Sequence, residues 1–124
     1  GLQTLSLEPS SRYGLPKEER TLPQALKASG YRTAFLGHWL LGHAKREHWP
    51  GQRGFDLFYG SLSGNVEPQL RKSASADWYR NDRNVKEEGY VTDLLAREAD
   101  RVISAHDRSA PLFLMVAFNT PAQF

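Results

Sequence analysis

Three histidines, His38, His43 and His48, recur at intervals of five residues, with Glu47 and Asp56 nearby. Three imidazoles with one open coordination position would suit a hydrolytic site built on zinc or another transition metal. The interval is not that of a helical H-E-x-x-H pair, and five residues put two side chains on different faces of a helix. The plainer reading is histidines exposed or packed in an irregular loop. Asp56 could serve as a catalytic acid, but its spacing from Arg53 fits a pair that ties a turn. Trp39, Trp49 and Trp78 could stack on a sugar ring; core or loop-anchoring roles suit them better. No Ser/His/Asp order is readable, because Ser63-Gly64-Asn65 lacks the G-x-S-x-G pattern and its strand-turn-helix setting. There is no glycine-rich phosphate loop.

These residues need elements to position them. Residues 1–20 are polar, carry Pro9, Gly14 and Pro16, and read as an irregular arm. Thr21-Leu22-Pro23-Gln24 has the form of a capping box, with Pro23 tolerated in the first turn. Leu22, Ala25, Leu26 and Ala28 give an apolar stripe and Gly30 a stop, so a helix is expected over residues 22–29. Residues 31–36 read as a strand, residues 37–54 as a loop and residues 55–62 as a possible short strand. A small hairpin is expected around a turn at Asn81-Asp82. Thr92 is placed to cap a second helix running to His106, with Leu95, Ala99, Val102 and Ile103 at helical spacing. Residues 112–118 form an unbroken apolar run, which suits a strand buried on both faces of a parallel sheet. The expected fold class is α/β, with two helices, mainly parallel strands and a small hairpin. The whole of 1–124 is read as one segment, its core piece spanning 21–124.

At 124 residues the chain is long enough for one domain with one modest core. A net charge of +2, with no block of basic residues, gives no sign of nucleic-acid or polybasic membrane binding. The absence of cysteine removes disulfides, thiolate metal sites and a cysteine nucleophile from this chain. No apolar run approaches the roughly 20 residues of a transmembrane helix. Gly1-Leu2-Gln3 does not read as a signal peptide, and both ends read as cut from something longer.

Three blocks carry a family resemblance. Residues 21–42, ending Gly37-His38-Trp39-Leu40-Leu41-Gly42, resemble the sulfatase signature in which a helix and a "GYxT" strand lead into "GKWHLG". Arg53-Gly54-Phe55-Asp56, followed by Phe58, Gly60 and Gly64-Asn65-Val66, is similar to the "RGFDxFxG" segment of arylsulfatases. The run from Pro111 to Asn119 resembles the "PFFLYLAFxxxHTP" strand. The resemblance is to type I, formylglycine-dependent sulfatases of the alkaline phosphatase superfamily, and covers nearly the whole chain in order. It implies hydrolysis of sulfuric esters, or the related phosphate esters, by a formylglycine hydrate, with calcium, a lysine and two histidines around the anion. Members are often secreted, periplasmic or lysosomal.

No catalytic position of that family is intact in this segment. His38 stands at the lysine of "GKWHLG", and an imidazole that is mostly neutral at pH 7 cannot replace a fixed charge. Leu40 stands at the histidine, and leucine neither donates a hydrogen bond nor carries a proton. Ala122 falls where the substrate histidine would lie. The nucleophile motif and the calcium ligands belong to other parts of the family's chain. The resemblance leaves His38 and Trp39 as the residues nearest an ester. Scaffold residues such as Gly30, Gly37, Gly42, Arg53 and Phe55 remain. Two expectations follow: a sulfatase-like segment that depends on the rest of a parent chain, or a non-catalytic or engineered small domain, its histidines free for metal-dependent hydrolysis. A partial parallel sheet exposes edges, so self-association or docking onto the parent chain is expected.

Overall fold

The computed structural model describes residues 10–64, 66–70 and 77–119. Thr21 caps α1, Leu22–Ala28, through the expected capping box: its hydroxyl accepts from the Gln24 N–H, and its own N–H donates to the Gln24 side chain. After Ser29 and Gly30 the chain enters β1, Arg32–His38, two residues longer at its far end than expected. Two short 3-10 turns, Arg46–His48 and Pro50–Gln52, punctuate the loop that follows. The remaining elements are β2 (Leu57–Ser61), β3 (Gln69–Leu70), β4 (Tyr79–Arg80), β5 (Arg83–Asn84), β6 (Gly89–Tyr90), α2 (Val91–Ala105) and β7 (Leu112–Ala117).

Five strands form one mixed sheet in the order β5-β4-β2-β1-β7. β1 lies between β2 and β7 and runs parallel to both; β4 and β5 add the antiparallel hairpin, turning at Asn81-Asp82 as expected. β3 and β6 pair separately. The fold class is therefore α/β, as read from the sequence. One face buries Phe35, Trp39, Phe55, Phe58 and Leu62. The other buries Leu36, Tyr59 and Trp78 under Leu94 and Leu95 of α2. Strand alternation sends Phe35 and Leu36 to opposite faces, so β1 serves both cores.

Three expectations are corrected. β7 does pair in parallel, but among the described residues it lies at the sheet edge and is only partly buried; Met115 is 47% exposed. Its unbroken apolar run reflects two half-covered faces rather than a central position. Thr92 does not cap α2: Tyr90 holds the cap position without a side-chain bond, and the Val91 N–H donates to the Pro68 carbonyl instead. Arg53 and Asp56 do not pair with one another. The Arg53 guanidinium, 2% exposed, donates to the carbonyls of Pro16 and Glu19, at 3.0 and 2.8 Å, and so anchors the arm. Asp56 accepts from the Thr33 N–H at 3.0 Å and pairs with Lys27 at 2.8 Å.

Glycine is required where β1 and β2 meet. Gly37 and Gly60 are register partners with positive φ, 112° and 151°. A Cβ on Gly37 would lie 1.9 Å from the Ala117 carbonyl oxygen, and one on Gly60 would lie 2.1 Å from that of Gly37. The backbones approach too closely for any side chain.

Candidate functional site

In open α/β sheets, ligands bind beyond the carboxyl ends of parallel strands. Here those ends belong to β1, β2 and β7. His38 closes β1 directly opposite Ser61, which closes β2. Alternation places both on the face that carries Leu36 and Tyr59. Asn119 lies two residues beyond the end of β7.

The three share one property. His38 Nε2, Ser61 Oγ and Asn119 Oδ1 are buried and have no hydrogen-bond partner among the described residues. An unmet buried polar group costs about 1–3 kcal/mol, and most are satisfied in native proteins. Three of these groups stand together at neighbouring strand ends, while the other two such atoms among the described residues, His48 Nδ1 and Arg53 Nε, lie apart from them in sequence. His38 and Ser61 do not bond each other despite facing across the sheet, so no nucleophilic serine pair is assembled.

Asp77 builds the wall beside them. Its carboxylate accepts from the N–H of Leu62 at 2.9 Å, and from the N–H and hydroxyl of Ser63 at 3.1 and 2.6 Å. This fixes the chain as it leaves β2, close to the His38 ring; a Cβ on Gly64 would lie 2.8 Å from His38 Nδ1. Burial pushes the His38 pKa below its ordinary value, and the Asp77 charge only partly opposes that. At neutral pH His38 is therefore a neutral donor or acceptor, not a cation.

The sequence candidates separate in space. Trp39 turns into the core, 5% exposed, and its indole N–H donates to the His48 carbonyl at 2.8 Å. Trp49 donates likewise to the His43 carbonyl at 2.8 Å, and Trp78 is fully buried against Tyr59. All three tryptophans anchor loops or fill the core. His48 is buried among backbone, where a Cβ on Gly42 would lie 2.6 Å from its own Cβ. Among the described residues no group of three or more His, Asp or Glu side chains gathers to hold a metal ion. His38, His43 and His48 are thus not brought together. Leu40 adopts a left-handed φ of 57° just past β1 and is 39% exposed. Ala122 lies outside the described residues. Ser61, Asp77 and Asn119 were not singled out from sequence; the strand-end rule applied to residues 55–62 and 112–118 was the signal available.

An α/β sheet with open polar groups at its parallel strand ends has the layout of a ligand-binding edge. A family profile described as Sulfatase matches residues 3–122, and the chain belongs to that family. It is 34% identical over 127 residues to arylsulfatase J of Mus musculus, covering 95% of this chain and 21% of that protein. It is 32% identical over 120 residues to N-acetylgalactosamine-6-sulfatase of Mus musculus, covering 86% and 23%. Among solved structures it is similar to Ps i-CgsB in complex with k-i-k-neocarrahexaose, with a TM-score of 0.78 and 29% identity, covering 91% of this chain and 29% of that one. The chain thus spans well under a third of the length of these relatives.

Proposed function

We propose that this chain forms one wall of a sulfatase-like hydrolase domain and does not hydrolyse sulfate esters unaided. The observation that carries this is the strand end itself. Where the resemblance calls for a lysine and a histidine, the wall presents a neutral His38 and an apolar Leu40. A sulfate ester places negative charge on the transferring group, and its transition state needs fixed positive charge and a proton carrier. Neither residue supplies them. The open groups of His38, Ser61 and Asn119 suit hydrogen bonding to a ligand or to the rest of a parent chain.

The family's calcium does not fit the described residues. Hard cations take six to eight oxygen ligands, including carboxylates. Asp56 is committed to Lys27 and Thr33, Asp77 to Leu62 and Ser63, and no acidic cluster remains among the described residues. Calcium ligands, like the nucleophile, belong in this reading to other parts of a parent chain. The relatives' names speak of aryl sulfates and N-acetylgalactosamine 6-sulfate, so a sulfate ester is the substrate class proposed for that parent. The second edge of β7, unpaired among the described residues, is where that parent's next strand would add.

The test is an aryl sulfate assay on the purified chain with and without calcium. No turnover is expected. Hydrolysis that survives purification and disappears in His38→Ala would overturn the proposal.

A further inference from the structure

A second cleft, of about 460 Å³, opens between α2 and the β4 side of the sheet and shares no residue with the strand-end site. Its floor is Tyr59, with the Arg80 guanidinium 4.5 Å above the ring centroid. Glu98, 5% exposed, receives Arg80 through two bonds, at 2.6 and 3.2 Å, and Arg101 through two more, at 3.1 and 2.5 Å. One carboxylate thus holds two guanidiniums and leaves a positive charge unmatched. The opposite wall is Glu87, whose carboxylate accepts from the Tyr59 hydroxyl and from the Trp78 indole N–H at 3.2 Å. Lys86 and Arg97 line the same cleft, with no hydrogen bond or ion pair to any described residue. Glu88 is the remaining acid, so four cations face three carboxylates.

We infer that this cleft is a binding site for an oxyanion, a sulfate, phosphate or carboxylate group borne on a larger molecule. The Glu98 clamp makes the floor rigid, since it fixes Arg80 and Arg101 from below. Arg97 and Lys86 supply the free donors: a planar fork matched to oxyanion geometry and a mobile point charge. A volume of 460 Å³ far exceeds a bare oxyanion and leaves room for the molecule that carries it. The site uses no residue of the strand-end wall, so it stands whether or not that wall belongs to a hydrolytic centre.

Inorganic sulfate is the probe, titrated into the isotope-labelled chain at constant ionic strength with chloride as the counter-titrant. Saturable shifts are expected at the amides of Lys86, Glu87 and the α2 turn carrying Arg97 and Arg101. The double variant Lys86→Gln, Arg97→Gln removes side chains that have no partner among the described residues, so the fold should be kept, and it should weaken sulfate at least about tenfold, as loss of charged hydrogen bonds does. An equal response to chloride, an unchanged affinity in the double variant, or loss of the effect in His38→Ala instead would each overturn the inference.

Discussion

The two ends of the parallel strands are built to opposite rules. At the amino end, β1 and β2 are stitched together by side chains. The Thr33 hydroxyl donates to the Gly54 carbonyl at 2.6 Å, the Asp56 N–H donates back to the Thr33 hydroxyl at 3.0 Å, and the Thr21 hydroxyl donates to the Arg53 carbonyl at 2.7 Å. Among the described residues, Arg53 Nε is the one buried side-chain atom of that network left without a partner. At the carboxyl end, His38 Nε2, Ser61 Oγ and Asn119 Oδ1 find no partner among the described residues. Both ends belong to the same strands in the same register, so strand pairing alone does not explain the difference. It teaches that a fold can close one end of its parallel strands with a side-chain network while buried polar atoms at the other end find no partner among the described residues.

The comparison breaks most completely if the close approach of β1 is lost. Gly37→Ala puts a methyl group into the Ala117 carbonyl and asks alanine to hold a φ of 112°. Both penalties act where β1 is flanked by β2 and β7, so a loss of more than about 4 kcal/mol is expected. Circular dichroism should show no cooperative unfolding transition at room temperature. A variant that melts within a few degrees of the parent chain would show that the strands can separate at that point.

Arg53→Met probes the closed end alone. It preserves much of the buried volume but withdraws the donors held by the Pro16 and Glu19 carbonyls. Those carbonyls belong to exposed residues that water can reach, which limits the cost to about 2–3 kcal/mol. Denaturant titration gives the stability, and proteolysis should begin within residues 10–20, because the arm loses its anchor. Unchanged protection of that segment would mean that the Leu15 N–H to Leu41 carbonyl bond holds it without Arg53.

Glu98→Gln tests whether the α2 side is as tightly closed. Burial alone would raise the Glu98 carboxyl, but hydrogen bonds and charge from Arg101 and Arg80 outweigh it and hold the group at about 2. A depressed folded pKa means a contribution present above the unfolded value of 4.5 and lost as pH falls from there toward about 2. Both arginines are partly exposed, with side-chain exposures of 34% and 59%, so the neutral variant should lose only about 1–2 kcal/mol at pH 7. The parent's excess over the variant should fade through that acid window. A constant difference from pH 6 to pH 3 would assign the effect to packing.

Legibility in the sequence followed the range of the interactions. The cap on α1, the hairpin turn and the order of helix and strand rest on neighbours within a few positions, and Thr21, Gln24, Asn81 and Asp82 announce them. Arg53 was read as a partner for Asp56 because they are close in sequence, yet its acceptors lie 34 and 37 positions away. The edge position of β7 was hidden for a related reason: an apolar run reports burial but not which neighbours supply it. His38 was singled out through its motif, and the structure shows its Nε2 buried without a partner among the described residues. Ser61 and Asn119 were not singled out, because what distinguishes them is a missing partner, which only three-dimensional placement reveals.

The smallest expected effect tests the open end most directly. Leu40 occupies a left-handed conformation that β-carbon sterics disfavour for leucine, and it is partly solvent-exposed. Its backbone is held there from outside: the Leu40 N–H donates to the Leu62 carbonyl at 3.1 Å, and Asp77 fixes Leu62 in turn. Strain of this kind persists only where the surroundings impose it, and it gathers at functional positions. Asparagine tolerates the left-handed region better, so Leu40→Asn should raise stability by up to about 1 kcal/mol. A thermal midpoint higher by a few degrees would be the readout. A destabilised variant would mean that contact of the Leu40 side chain with the Gly64 turn outweighs the backbone cost. The leucine would then serve packing, and the carboxyl end would be less open than its unpartnered atoms indicate.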